Sequence, residues 1–110
     1  SPFMAPAREK LAAVLDTIEF KAPQFPVLSN ITGKPHSSDP AEIKRMMLEQ
    51  VTGTTNWAAD VEEAKAMGCD TFVEFGPGKV LSGLIKKIDA ALVTVNVSDL
   101  ASLDVTLTNL

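Results

Sequence analysis

The stretch Phe72-Val73-Glu74-Phe75-Gly76-Pro77-Gly78-Lys79-Val80-Leu81 has the residue types and spacing best suited to chemistry. An apolar strand runs through two glycines into a helix, so a ligand can approach the backbone and meet the unpaired N–H groups of the helix start. Two familiar phosphate loops are excluded. No GxxxxGK[ST] occurs, and Gly76, Gly78 and Gly83 do not make GxGxxG. The residues alone leave open a plain strand-to-helix turn or the edge of a site; in open α/β sheets, ligands gather at the carboxyl ends of strands. Gln50 is the second candidate. It follows Ile43 by seven residues and Met47 by three, which puts an amide on the apolar face of a helix. A buried amide without a partner costs about 1–3 kcal/mol. Either the face frays towards Gly53 and Gln50 meets water, or its side chain or backbone carbonyl faces a site.

Other candidates are weaker. His36, the only histidine, stands beside Ser37, Ser38 and Asp39, but neighbours in sequence rarely converge as a triad, and a surface-loop histidine is expected. Cys69 has no histidine or basic neighbour and reads as a buried, inert thiol. Glu74 reads as an exposed edge residue or a salt-bridge partner rather than a general base. Lys79, Lys86 and Lys87 are solvated charges, or a local basic spot for an acidic partner or a phosphate. No nucleophile is visible.

These residues need elements to position them. A helix is expected over 5–20, with Pro6 in its first turn and Leu11, Val14, Leu15 and Ile18 on one face. Pro23 and Pro26 end it before a short strand at Val27–Ile31, and 32–38 reads as a loop. Asp39, Pro40 and Glu42 form a strong helix start with a capping box. That helix runs to about Val51; a third, capped by Thr55 or Asn56, stops at Gly68. Strands at Thr71–Phe75 and Val93–Val97 flank a helix after Gly78, and Ser98 caps a last helix. The order α-β-α-α-β-α-β-α predicts parallel strands joined by helices, as one side of a larger sheet.

The 110 residues are 45% hydrophobic and 22% charged, enough for an ordinary core. One cysteine permits no internal disulfide, and no cluster suits a structural zinc. Ten basic against fourteen acidic residues give a net charge of −4, which argues against nucleic acid as a partner. No apolar run approaches the roughly 18 residues of a membrane span, and no signal peptide opens the chain. A cytoplasmic protein with no membrane partner is expected. The start at Ser1, without an initiator Met, suggests processing or the tail of a longer chain.

Taken together, Ser1-Pro2-Phe3-Met4-Ala5-Pro6-Ala7, Pro26-Val27-Leu28-Ser29-Asn30-Ile31-Thr32-Gly33, Glu49-Gln50-Val51, Asn56-Trp57 and Val73–Leu84 resemble, in order, the malonyl-CoA:acyl carrier protein transacylases. The resemblance covers roughly residues 1–90. It implies a two-step acyl transfer: a serine in a GHSxG elbow, aided by a histidine base, takes malonyl from malonyl-CoA and passes it to the phosphopantetheine thiol of acyl carrier protein. An arginine holds the malonyl carboxylate, and backbone N–H groups stabilise the oxyanion. No cofactor is implied. The implied fold class is α/β: residues 1–110 form the C-terminal segment of an α/β-hydrolase-like large subdomain, with parallel strands and flanking helices. The ferredoxin-like small subdomain is absent from this chain.

The resemblance also says what is missing. No GHSxG occurs; Arg8 and Arg45 lie outside the carboxylate-binding motif, and His36 is not the base. The family histidine immediately precedes the segment matching Ser1, so this chain is expected to be inactive alone and to need the N-terminal part of the enzyme. Gln50 matches the glutamine whose backbone carbonyl accepts a hydrogen bond from that histidine. Ser1, Phe3, Met4 and Asn30 are implied to border the substrate pocket, with Gly76, Pro77 and Gly78 at its rim. Lys86 and Lys87 match a basic pair where acyl carrier protein or CoA phosphates dock. Two rivals stay open: the acyltransferase domain of a polyketide synthase, and a non-catalytic α/β module holding an anion at Gly76–Lys79.

Overall fold

The computed structural model describes residues 4–110. Its elements are α1 (Ala5–Leu15), β1 (Leu28–Ser29), β2 (Lys34–Pro35), α2 (Pro40–Thr52), α3 (Trp57–Ala66), β3 (Thr71–Phe75), α4 (Val80–Ile88), β4 (Val93–Val97) and α5 (Leu100–Asn109). They fall into two compact units that divide within α3, one up to Glu63 and one from Ala64. None of these helices is long and apolar enough to cross a membrane.

In the first unit, α1 packs on α2. Pro6 sits in the first turn of α1, where its missing N–H costs nothing. The helix ends at Leu15, earlier than its apolar spacing suggests: Asp16 N–H bonds to Ala12, and Thr17 and Ile18 then fold back onto Val14 and Leu15 in tight turns. Leu15 is buried, whereas Val14 and Ile18 are exposed. For α2, Asp39 caps by accepting from Ala41 N–H at 3.1 Å, with Pro40 at the start. Glu42 does not close the expected capping box; its carboxylate is taken by Arg45 at 3.0 and 2.5 Å.

Between the helices the chain makes a small hairpin. β1 pairs antiparallel with β2, Leu28 opposite Pro35 and Ser29 opposite Lys34. The expected strand at Val27–Ile31 is thus shorter, and the expected loop supplies its partner. Gly33 closes the turn at φ 66° and lies so near α3 that a Cβ there would stand 2.5 Å from Ala59 Cβ.

The second unit carries the parallel pairing. β3 and β4 run side by side in register from Thr71 opposite Val93 to Phe75 opposite Val97, joined through α4. Ser82 and Ile85 of α4 are buried, and α5 packs along β4. Asp99, rather than Ser98, caps α5: its carboxylate accepts from Ser102 N–H at 2.8 Å, and Ser102 Oγ accepts from Asp99 N–H in return. Cys69, expected to be buried, is exposed after the Gly68 turn. The fold is therefore α/β with parallel strands and flanking helices, to which the hairpin adds one antiparallel pair.

Candidate functional site

Gln50 lies in the last turn of α2. The chain leaves that helix at Gly53 in an extended conformation, φ −89° and ψ 171°. The carbonyls of the last turn, Gln50's included, therefore lack the N–H groups a continuing helix would offer. The side chain is exposed, so the fraying alternative holds for the amide while the carbonyl keeps acceptor capacity. Met4 and Leu11 join Met47, Gln50 and Val51 in lining one depression of about 410 Å³. Met4 and Gln50, matched to the pocket and to the histidine's acceptor, thus share one concavity with apolar walls. Ser1 and Phe3 lie outside the described residues. Arg8, one turn into α1, donates from Nη2 to Glu49 Oε1 at 3.1 Å, beside Gln50 in the chain.

Asn30 has a different role in the structure. It sits in the hairpin turn, where its backbone carbonyl and Oδ1 accept from Asn56 N–H at 2.6 and 3.1 Å, anchoring the start of α3. It is not among the residues lining the Gln50 depression. His36 is half-buried rather than on an open loop, and its Nδ1, together with Trp57 Nε1 and Asp60 Oδ1, is buried without a protein hydrogen-bond partner. Burial pushes the Asp60 carboxyl up, partly offset by His36.

Gly76, Pro77 and Gly78 form the β3-to-α4 turn, with φ 114° at Gly76 and 81° at Gly78. Gly76 N–H donates to Val97 at 2.9 Å, tying the ends of the two strands. Glu74 then does what sequence reasoning missed. Its carboxylate accepts from Leu81 N–H at 3.2 Å, Ser82 N–H at 2.9 Å, Ser82 Oγ at 2.7 Å and Asn96 Nδ2 at 2.9 Å. Asn96 faces Glu74 across the parallel pair and also donates to Ser82 Oγ at 3.0 Å. Glu74 is thus neither an edge residue nor a salt-bridge partner: it caps α4 from the neighbouring strand. The amides an anion would use already serve a carboxylate, which is the favoured charge at a helix N-terminus. This geometry counts against an anion-binding module at Gly76–Lys79.

The Ser82 hydroxyl, then the Ser82 and Leu81 N–H groups and Asn96, hold the Glu74 carboxyl below its ordinary value against an opposing effect of burial. A lowered folded value means that its stabilising contribution is complete above the ordinary value of 4.5 and fades as pH falls through the folded value. Glu74→Gln is therefore expected to melt at lower temperature than the parent at pH 7, with the gap narrowing as the pH is taken below 4.5. A gap that stays constant with pH would rule out the carboxylate as the cap.

Lys86 donates to the Leu92 carbonyl and reaches Ala90 O at 3.4 Å, pinning the α4–β4 turn. Asp89 in that turn pairs with Lys65 at 3.1 Å. Lys87 is exposed. Among the described residues no group of three or more His, Cys, Asp or Glu side chains is arranged to hold a metal.

Parallel strands joined through a helix give the second unit an α/β architecture, and in the first unit the end of α2 opens onto an apolar depression. No family model matches it. It is 41% identical over 99 residues to the malonyl CoA-acyl carrier protein transacylase of Bacillus subtilis, a match covering 90% of this chain and 31% of the relative. The crystal structure of the Burkholderia pseudomallei acyl-carrier-protein S-malonyltransferase superposes with a TM-score of 0.83 at 42% identity, over 94% of this chain and 33% of that one. A malonyl-transacylase in complex with its type II polyketide acyl-carrier protein gives 0.85 at 39% identity, over 97% and 34%. The chain is a homologue of the malonyl-CoA:acyl carrier protein transacylases, and spans about a third of the length of these relatives.

Proposed function

We propose that residues 1–110 are the C-terminal segment of the large subdomain of a malonyl-CoA:acyl carrier protein transacylase of fatty-acid synthesis, a cytoplasmic enzyme. In the whole enzyme a serine takes malonyl from malonyl-CoA as an ester and yields it to the phosphopantetheine thiol of acyl carrier protein. Ester formation breaks the thioester and releases CoA thiol; the second transfer reverses that chemistry on the carrier. The observation that carries this reading is the Gln50 carbonyl, left acceptor-competent by the helix end at Gly53, in the same depression as Met4. A histidine just ahead of Ser1 would donate its second ring N–H to that carbonyl. The bond fixes the tautomer and leaves the other nitrogen to deprotonate the serine, as an aspartate does in a triad.

Ser1, Phe3 and Met4 border the pocket in this reading, while Asn30 supports it by anchoring α3. Lys87 is the better docking charge for the acidic carrier or CoA phosphates, because Lys86 is spent on its own turn. The partners are acyl carrier protein, malonyl-CoA and the N-terminal part of the enzyme. Service to a polyketide carrier remains the second reading, favoured by likeness to the transacylase bound to one. The test is mass spectrometry after mixing with malonyl-CoA. The enzyme joining this segment to its GHSxG part should gain a malonyl group on serine and lose it to holo acyl carrier protein, while residues 1–110 alone should do neither. An adduct on the isolated segment would overturn the assignment.

A further inference from the structure

We propose that Arg8 and Glu49 are positioning residues for the histidine that the Gln50 carbonyl orients, an inference that rests on the reading above. Helix α2 has no basic residue in its last turn, where a cation would complement the helix dipole. Arg8 supplies that cation from α1, donating to Glu49 at 3.1 Å. The pair closes α1 against the turn that presents Gln50, and Arg8 lies in sequence between Met4 and Leu11, two walls of the depression. Glu49 is the chain neighbour of Gln50, so a histidine bonded to the Gln50 carbonyl would lie within electrostatic range of the ion pair.

The other charged side chains of α2 have partners of their own. Arg45, one turn before Glu49, is held by Glu42 at 3.0 and 2.5 Å and feels Glu49 more weakly. Lys44 pairs with Asp16, from the segment after α1. Glu49 is thus the principal partner of Arg8, and the pair is electrically neutral only while both members stand. Without Arg8, the bare Glu49 carboxylate favours the imidazolium and raises the histidine's pKa. Without Glu49, the bare guanidinium disfavours it and lowers that pKa.

The test is the pH dependence of kcat/KM for malonyl transfer by the whole enzyme. A histidine base must be neutral, so activity rises with pH along an acid limb. Arg8→Ala should move that limb up by about half to one pH unit and Glu49→Ala down by a similar amount, the size expected for unit charges on the order of 10 Å apart near a surface. The double variant should return it to the parent position, and Arg8→Lys, which keeps the charge, should leave it there. Limbs that stay put, or move the same way in both single variants, would make the pair merely structural and overturn the proposal while the transacylase reading stands. A parent enzyme that transfers no malonyl would overturn both. Arg8→Lys also guards against misfolding, since it preserves the contact.

Discussion

Gly33→Ala is expected to destabilise the hairpin–α3 unit by about 2–4 kcal/mol, from two separable costs. The first is conformational: φ at Gly33 is 66°, where a side chain costs about 1–2 kcal/mol. The second is steric. The added Cβ would meet Ala59 Cβ at 2.5 Å and the Ala59 carbonyl carbon at 3.4 Å, and overpacking of this kind costs about 1–3 kcal/mol. Gly33 is itself buried and its N–H donates to Ser29 at 2.9 Å, so the turn cannot swing out without losing that bond. Thermal unfolding should show the loss as a drop on the order of 10–20 °C for a unit of this size. A double-mutant cycle with Ala59→Gly isolates the steric part, expected as a coupling of about 1–2 kcal/mol. Absence of coupling would mean that α3 does not press on the hairpin.

Much of this architecture was legible because local chemistry and tertiary structure agree. Thr71–Phe75 and Val93–Val97 are β-branched or aromatic runs bounded by turn residues, and both are strands at those limits. Asp39 followed by Pro40 starts α2 as its residues dictate. The failures fall where a distant partner decides. Lys34–Pro35 has no strand pattern, and only pairing with Leu28–Ser29 makes it one. Asp60 of α3 carries no local mark of burial, yet it is 7% exposed. Glu74 reads in the sequence as an edge residue or a salt-bridge partner, since its role depends on a helix start seven and eight residues later and on Asn96 in the neighbouring strand. Gln50 is the opposite case. Its polar side chain on an apolar face drew attention, but the feature that suits it to a site is the free carbonyl created by the helix end.

That helix end supports the second large expectation, in the whole enzyme: Gly53→Val should lower kcat for malonyl transfer by about 10- to 100-fold. A Cβ at Gly53 would stand 2.9 Å from the Glu49 carbonyl oxygen and 2.9 Å from Ile31 Cδ1. Ile31 Cδ1 ends a flexible side chain and can yield; the Glu49 carbonyl is backbone in the same turn as Gln50 and cannot move alone. A branched side chain worsens both contacts, so the turn shifts and carries the Gln50 carbonyl with it. A misplacement of about 1 Å in a group that positions the chemistry can cost on the order of 100-fold in rate. The KM for malonyl-CoA should change far less, because the proposed acceptor orients the base rather than holding the substrate. Gly53 has φ −89°, which any residue adopts, so strain at position 53 itself does not confuse the result. Ile31→Ala in the same chain removes the yielding contact and leaves the backbone one, and should restore little of the lost rate. Full recovery with Ile31→Ala would place the damage in side-chain packing and remove the Gln50 carbonyl from the mechanism.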